Sequence, residues 1–349
     1  MANLKVPDAN ETRNALMRHV VGNKADKPAI TLASTKSSVA YEKGILEFLR
    51  DMLGLHLCCD IGNIYYLDGG STGPADNDED GLTRATPKGS LTAALALCTS
   101  GNNDVIIVLN YGSAGRGLET SFPVTVSKDM VHIVGVGTPA QKWCTMKVAA
   151  GDAADTANPA IYFTGNRCSI HNMEIGGGDT SCGLKAGSLN AAANGWGLWV
   201  NDCWFGVTGD TVGRDGIGVI ATHDCPYLTV TNCRFGGSLT RDGIRINGNA
   251  TRGSIGLPGK GNWFARLSGG VAINATAPTA LSMHDNVVAL AANSKGAAIT
   301  TAGTGGTING NKANYGVTAM ANDVHLDTGA NDWILNYKGG ITASMPSTS

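Results

Sequence analysis

The sequence predicts an all-β fold, a right-handed parallel β-helix preceded by a short α-helical N-terminal segment. Three observations predict it. The first is a repeat. Between Gly216 and Gly340 two short apolar runs recur together, one opening at Ile217, Ile244, Ile273, Ile299 and Val324, the other at Leu228, Ile255, Leu281, Ile308 and Ile334. Both series advance by about 26 residues, and self-similarity at a period of roughly 20–50 residues marks a solenoid. A strand-only unit of that length is one coil, and a coil buries its apolar side chains only by stacking on its neighbours. The second is a polar column. Asn172, Asp202, Asn232, Asn262, Asp285, Asn311 and Asn336 each follow the second run. Such side chains tolerate the left-handed backbone of a sharp corner and stack into a ladder, one per coil. Cys203 and Cys233 come directly after two of them, which places small apolar side chains inside the coil. The third is composition: 48 glycines and 15% charged residues suit tight, repeated turns.

Taken in order, residues 1–56 stand apart from the solenoid. Glu11 to Val21 reads as a short helix stopped by Gly22-Asn23. Ser38 caps a second, with Val39, Ile45, Leu46, Leu49, Met52 and Leu53 on one side and Glu42, Lys43, Glu47, Arg50 and Asp51 on the other. A helix this short needs a partner for its apolar face. The segment is therefore expected to serve attachment or oligomerisation, through those six apolar residues. Residues 57–104 form the opening and end cap: a strand at Ile64–Leu67, a polar loop to Pro87, and a helix capped by Ser90 through Leu91, Ala94, Leu95 and Leu97. Such a cap shields the first coil's open edge. The helix proper is expected over 105–340, with strong strands at Val105–Leu109 and Val131–Val136 and Val124–Val126 between them. From Val105 to Tyr337 roughly nine coils follow, a column on the order of 45 Å long. Residues 341–349 are a polar tail.

The opening carries a resemblance. Tyr65-Tyr66-Leu67-Asp68-Gly69-Gly70, Asp78-Glu79-Asp80-Gly81, Ala85-Thr86-Pro87, Asp104-Val105-Ile106-Ile107-Val108 and Val131-His132-Ile133-Val134-Gly135-Val136-Gly137 together resemble the start of right-handed parallel β-helix proteins of the pectate-lyase-like superfold. Many of these are virion proteins of tailed bacteriophages. Asn14-Ala15-Leu16-Met17-Arg18-His19-Val20-Val21-Gly22-Asn23-Lys24 resembles the N-terminal segment of phage structural proteins. The resemblance implies a location in the virion after assembly in the host cytoplasm, with capsid or tail proteins as partners. Within it two roles stand. The first is a non-enzymatic surface protein, a homotrimeric capsid decoration (cement) spike held by its N-terminal segment. The second is a tailspike that binds, and in some members cleaves, a host surface polysaccharide as a glycoside hydrolase or lyase. Only Gly339 to Ser349 follow the last coil, where many tailspike enzymes carry a trimerising domain, and this favours the first role.

Candidate chemistry is sparse. Arg214-Asp215-Gly216-Ile217 and Arg241-Asp242-Gly243-Ile244 lie one coil apart. Stacked in that register, Asp215 and Asp242 come within about 5 Å, the separation of a retaining glycosidase's carboxylates. In the enzymatic reading these two and Arg245 are the catalytic set. In the structural reading Asp-Gly is a turn dipeptide, repeated with its coil and neutralised by its Arg. Arg245-Ile246-Asn247 partly echoes the Arg-Ile-Lys of polygalacturonase-like members, but their Gly-His-Gly and Asp-Asp are missing. Trp196, Trp199 and Trp204 cluster in one coil, as a sugar platform or a trimer interface. Asp76, Asp78 and Asp80 match the first half of an EF-hand loop, whose last ligand position holds Pro87. They are a solvated loop or a weak calcium site, and no cofactor is expected.

A net charge of −2 with no Lys/Arg stripe excludes a nucleic-acid surface. The polar start, Met1 to Glu11, and the lack of an apolar run of about 20 residues give no sign of a signal peptide or a membrane span. The nine cysteines show no Cys-x-x-Cys spacing and read as buried, reduced thiols.

Overall fold

The computed structural model describes residues 61–70, 79–110, 119–136, 144–147, 159–176, 182–187, 196–206, 217–221, 225–236, 242–247, 250–265, 271–276, 278–290, 299–315, 325–327, 330–334, 337–338 and 342–343. The chain divides into two compact units, Met1–Asp60 and Ile61–Ser349. The first lies outside the described residues, and with it the expected attachment side chains Val39, Ile45, Leu46, Leu49, Met52 and Leu53.

The second unit is a parallel β-helix of three sheets. Each turn of the chain visits sheet I, then II, then III, and from coil to coil the strands of one sheet pair in parallel. One coil is Ile244–Ile246 in sheet I, Ser254–Ile255 in sheet II and Trp263–Ala265 in sheet III. The next is Ile273–Ala275, Ser282–His284 and Val287–Leu290. Among the described residues, sheets I, II and III contain eight, ten and nine strands. Nine of the ten in sheet II run from Asp104–Asn110 onwards, matching the expected coil number. The tenth, Ile64–Asp68, pairs with Asp104–Asn110 and belongs to the opening.

The repeat was expected to hold two strands, and it holds three. Strands of sheet III are as short as two residues, as at Trp204–Phe205 and Arg234–Phe235, and sit directly after the corner. So short a run between a corner and a loop carries no readable alternation. The polar tail also differs from expectation: Thr342–Ala343 folds back antiparallel on Tyr337–Lys338 and ends sheet III.

Alternation fills the coil. Phe205, Phe235 and Phe264 point inward from sheet III and stack face to face, with ring centroids 5.0 and 4.7 Å apart. Val200, Val230, Ile255, Met283 and Ile308 line the inside of sheet II, all buried. Between sheets II and III the backbone turns through a left-handed residue, Asn172, Asp202, Asn232 or Asp285, with φ between 52° and 54°. These residue types accept that conformation at low cost.

The expected single ladder is two adjacent columns. Asn262 and Asn311 occupy the position after the corner, together with Asn286, Cys203 and Cys233. Asn262 Nδ2 donates to Asn286 Oδ1 (2.9 Å), and Asn286 Nδ2 donates to Asn311 Oδ1 (2.8 Å). Each carboxamide also donates to a carbonyl of the coil before, at Val230, Ile255 and Met283. The Cys203 and Cys233 thiols face carbonyls of the coil before in the same way, each at 3.7 Å, from Ile170 and Val200 respectively, and each also approaches a carbonyl of its own coil, at 3.4 Å (Asn201) and 3.2 Å (Thr231). Cys and Asn thus alternate in one interior column because both are small and both supply a donor.

The helix Leu91–Leu97 buries Leu91, Ala94 and Leu95 at the open end. Ser90 Oγ accepts from Ala93 N–H, and the Glu119 carboxylate accepts from Leu91 N–H (2.5 Å) and Thr92 N–H (3.1 Å). At the other end Lys128 Nζ donates to the carbonyls of Leu95, Ala96 and Cys98. Opposite charges therefore sit at opposite helix ends, as the helix dipole favours.

Candidate functional site

Asp242 is 3% exposed and fully engaged. Its Oδ2 accepts from Arg245 Nε at 2.6 Å and from Asn274 Nδ2 at 3.1 Å, and its Oδ1 accepts from Val271 N–H at 3.0 Å. Arg245 and Asn274 face each other across neighbouring strands of sheet I, so the carboxylate ties one coil to the next. Asp215 lies outside the described residues. The register on which its pairing with Asp242 depended is not the one adopted. Ile244 pairs with Val219 rather than Ile217, and Arg245 with Ile220. Ile217 and Ile244 are thus two residues out of step at this pair of strands.

The three clustered tryptophans are all half-buried and each points a different way. Trp196 packs edge-on against Tyr227, with the Arg167 guanidinium 4.6 Å above its ring. Trp199 donates from Nε1 to Thr231 Oγ1 (2.8 Å) and meets His171 edge-on at 5.0 Å. Trp204 stands on the outer face of sheet III beside Arg234 of the next coil. Asp76 and Asp78 lie outside the described residues. Asp80 accepts from Leu82 N–H (2.9 Å) and Thr86 Oγ1 (2.5 Å), and these bonds, Thr86 first, hold its carboxyl below the ordinary range. Among the described residues no three His, Cys, Asp or Glu side chains gather as a metal site would require.

The outer face of sheet II is unusual at the opening end. Val105, Ile107, His132, Val134, Ser169 and His171 point away from the coil interior, yet all are buried. His132 Nδ1 lies 2.7 Å from Ser169 Oγ, and its Nε2 lies 2.6 Å from Asn103 Oδ1. The order serine, imidazole, amide has the form of a nucleophile relay, but Ser169 is only 4% exposed. Burial lowers the His132 pKa to about 4, against a smaller upward pull from Asp104, so the imidazole is neutral. His171 is lowered further, to about 3, by burial and then by His132. Among the described residues, neither of its ring nitrogens has a hydrogen-bond partner.

A groove of about 430 Å³ opens at the corner between sheets II and III, lined by Asn172, Asp202, Asn232, Cys233, Arg234, Gly261 and Trp263. It owes its form to one coil. At several other coils this corner takes two residues, as at Asp202-Cys203, Asn232-Cys233 and Asp285-Asn286. Here Gly256-Leu257-Pro258-Gly259-Lys260-Gly261 precede Asn262. Leu257–Lys260 is a type II turn: Pro258 supplies the fixed φ, Gly259 has φ +71°, and Lys260 N–H donates to the Leu257 carbonyl at 2.8 Å. Gly259 N–H donates to Asp285 Oδ2 (2.7 Å), which ties the turn to the following coil. Gly261 permits the return, since a Cβ there would meet the Asp285 carbonyl at 1.8 Å.

On the other side of the groove Trp204, Arg234 and Trp263 stand in register on the outer face of sheet III. Trp263 is 47% exposed, and the Arg234 guanidinium lies 6.0 Å from its ring centre. Desolvation by the groove walls raises the Asp202 carboxyl above its ordinary value, while Arg234, Asn201 and Lys260 pull it back. Sequence reasoning placed Asp202 in the corner column, but it did not bring it together with Trp263. The Gly-rich insertion 256–261 was the available signal.

No known protein family matches the chain, and no curated protein matches it. A solved structure similar to it is the A-module of the mannuronan C-5 epimerase AlgE4 from Azotobacter vinelandii, at 12% identity and a TM-score of 0.27, covering 81% of this chain and 100% of that one. At that score the similarity carries nothing about chemistry.

Proposed function

We propose that this chain is a structural surface protein of a tailed-phage virion. In this reading it is a non-enzymatic, homotrimeric capsid decoration spike, anchored through residues 1–56 and assembled in the host cytoplasm. The phage assignment rests on the resemblance of the N-terminal segment and of the β-helix opening. The observation that carries the non-enzymatic role is the state of Asp242. A carboxylate buried against Arg245, Asn274 and the Val271 N–H is held by three donors as a tie between coils, which favours a structural role over that of a nucleophile. The exposed Trp263 and Ile334 are side chains that lateral association of three such columns would cover.

One observation favours a second reading, a tailspike that recognises a host glycan: the groove beside Trp263. In its depolymerase form, Asp215, Asp242 and Arg245 would be the catalytic set. A particle reconstruction with copy counting separates the readings. Hundreds of copies on the shell support decoration, and a few at the tail support host recognition. Light scattering of the purified chain is expected to give three times the 35.8 kDa chain mass, and a stable monomer would count against the spike. Polysaccharide cleavage that Asp242→Asn abolishes would overturn the non-enzymatic role.

A further inference from the structure

We infer that a second copy of this chain fills the groove at the corner of sheets II and III. It does so with the opposite corner of its own sheet II, a ridge formed by Arg167, Trp196, Tyr227 and Arg252. This arrangement rests on the homotrimer proposed above and names the two surfaces that join it.

Between sheets I and II the backbone turns through a second left-handed column, which includes Arg167, Gly197, Tyr227 and Arg252, with φ of 54°, 74°, 60° and 56°. Glycine takes this conformation freely, whereas an arginine or a tyrosine is strained there. Their side chains stack along the outside of the column. Gly197 carries no side chain, and the indole of the preceding Trp196 lies between the neighbours, with the Arg167 guanidinium 4.6 Å from its ring centre and Tyr227 edge-on at 5.6 Å. Arg252 Nη1 donates to Tyr227 Oη at 3.1 Å. Arg167, Tyr227 and Arg252 are exposed. Among the described residues neither of these two guanidiniums has a carboxylate in ion-pair contact, whereas Arg245 is paired with Asp242. An exposed cation–π contact contributes less than the left-handed backbone costs, so holding the corner does not account for these side chains. Arginine, tryptophan and tyrosine are the residue types enriched at the centres of protein interfaces.

The groove supplies what the ridge lacks. Asp202 accepts a hydrogen bond from Asn201 Nδ2, at 3.5 Å, and Asp285 accepts one from Gly259 N–H. Among the described residues neither carboxylate is in an ion pair. Arg234 and Lys260 act on Asp202 without a hydrogen bond to it, and a guanidinium in contact adds the direct donors they do not give. The spacing then fixes the register. Counted in coils, Tyr227 stands two beyond Arg167, and Arg252 three beyond it. Trp263 stands two beyond Asp202, and Asp285 three beyond it. A single axial step of one coil, about 4.8 Å, therefore sets Arg167 against Asp202, Tyr227 against Trp263 and Arg252 against Asp285. Two charge pairs flank one aromatic pair, and a slight tilt of each column provides the step.

Both surfaces border sheet II. Each copy meets its two neighbours at the two margins of one sheet, so this head-to-tail contact turns about an axis and closes instead of running on as a filament. Sheet II then faces that axis. Thr229, Ser254 and Ser282, in register on its outward side, are small enough to let three sheets approach. The exposed Ile334 ends a strand of the same sheet.

The test is the association of the full chain, followed by light scattering through a dilution series. Arg167→Glu is expected to raise the concentration at which trimers form by about 100-fold or more, and adding Asp202→Arg to the same chain should restore most of it. A second measurement does not depend on charge. With Tyr227→Cys and Trp263→Cys in one chain, a short bismaleimide should join three chains, which neither single variant nor the unaltered chain should allow. If thermal melts show that Arg167→Glu has not folded, this cross-link decides alone. A trimer that folded Arg167→Glu leaves equally tight, that the exchanged pair does not restore, or that the two cysteines do not lock overturns the inference and leaves the trimer standing. A chain that is monomeric at every concentration overturns both.

Discussion

Replacing Asn286 with alanine should loosen the later coils and leave the opening intact. Asn286 is fully buried between Asn262 and Asn311. Its Oδ1 accepts from Asn262 N–H and Asn262 Nδ2, and its Nδ2 donates to the Ile255 carbonyl and to Asn311 Oδ1. Truncation deprives the buried Asn262 N–H of its acceptor, at about 1–3 kcal/mol. The three other lost bonds contribute about 0.5–1.5 kcal/mol each, since their remaining partners, such as the Val230 carbonyl on Asn262 Nδ2, stay in place. Together the loss is about 2.5–7.5 kcal/mol. Because a stacked coil contacts only its neighbours, the loss should be local. Native-state hydrogen exchange is therefore the assay. Amides at Asn262 and Asn286 should exchange on the order of 100-fold faster or more, while those at Ile106 and Ile133 should hold their rates. Asn286→Cys, which repeats the column's own choice at Cys233, should recover part of the protection. Unchanged exchange at Asn262, or an equal rise at both ends of the column, would refute the argument.

Other outcomes follow from single sites. Asp242→Ala should cost about 3 kcal/mol in urea unfolding, because Arg245 and the Val271 N–H lose their shared partner, whereas Asp242→Asn should cost less. Acid should destabilise the fold through its two buried imidazoles. Their pKa values, about 4 for His132 and about 3 for His171, lie below the ordinary 6.5, so the unfolded chain takes up protons first. Stability is then full above pH 6.5 and is lost as pH falls from there toward 4, by at most about 5 kcal/mol for the pair at pH 4.5. His171→Phe should be neutral or stabilising at pH 7.5 and should roughly halve that loss, read from urea midpoints at the two pH values. Burial pushes the thiols of Cys144 and Cys168 up to about 11 and those of Cys98 and Cys225 to about 12. All four should resist iodoacetamide at pH 8 until the protein is unfolded, as peptide mass mapping would show.

The sequence announced its coils through Ile244, Ile273 and Ile299, which do stand in register on neighbouring strands. Spacing of this kind is legible because one buried residue per coil must recur. Register is less legible. Val219 displaced Ile217 as the partner of Ile244, since both are apolar, both fit a strand, and the connecting loops differ in length. Asn286 was hidden by its neighbour Asp285: each suits a corner, and only the stacked geometry tells which one turns the chain and which one carries the ladder. The burial of His171 on an outward face escaped notice because a period of two reports which face a residue takes and not what lies over that face. The groove was dispersed over four coils, from Asn172 to Trp263, so no local pattern contained it.

The cross-coil bonds have a mechanical consequence. They all run along the column, so a pull on its ends loads the last coil before any other, and the coils should give way one after another. A coil such as that from Ser282 to its partner Thr307 holds 25 residues. Drawn straight, that contour releases roughly 80 Å for about 5 Å of column lost. Under tension the protein would lengthen in steps of that size, each step absorbing work while the remaining coils stay closed.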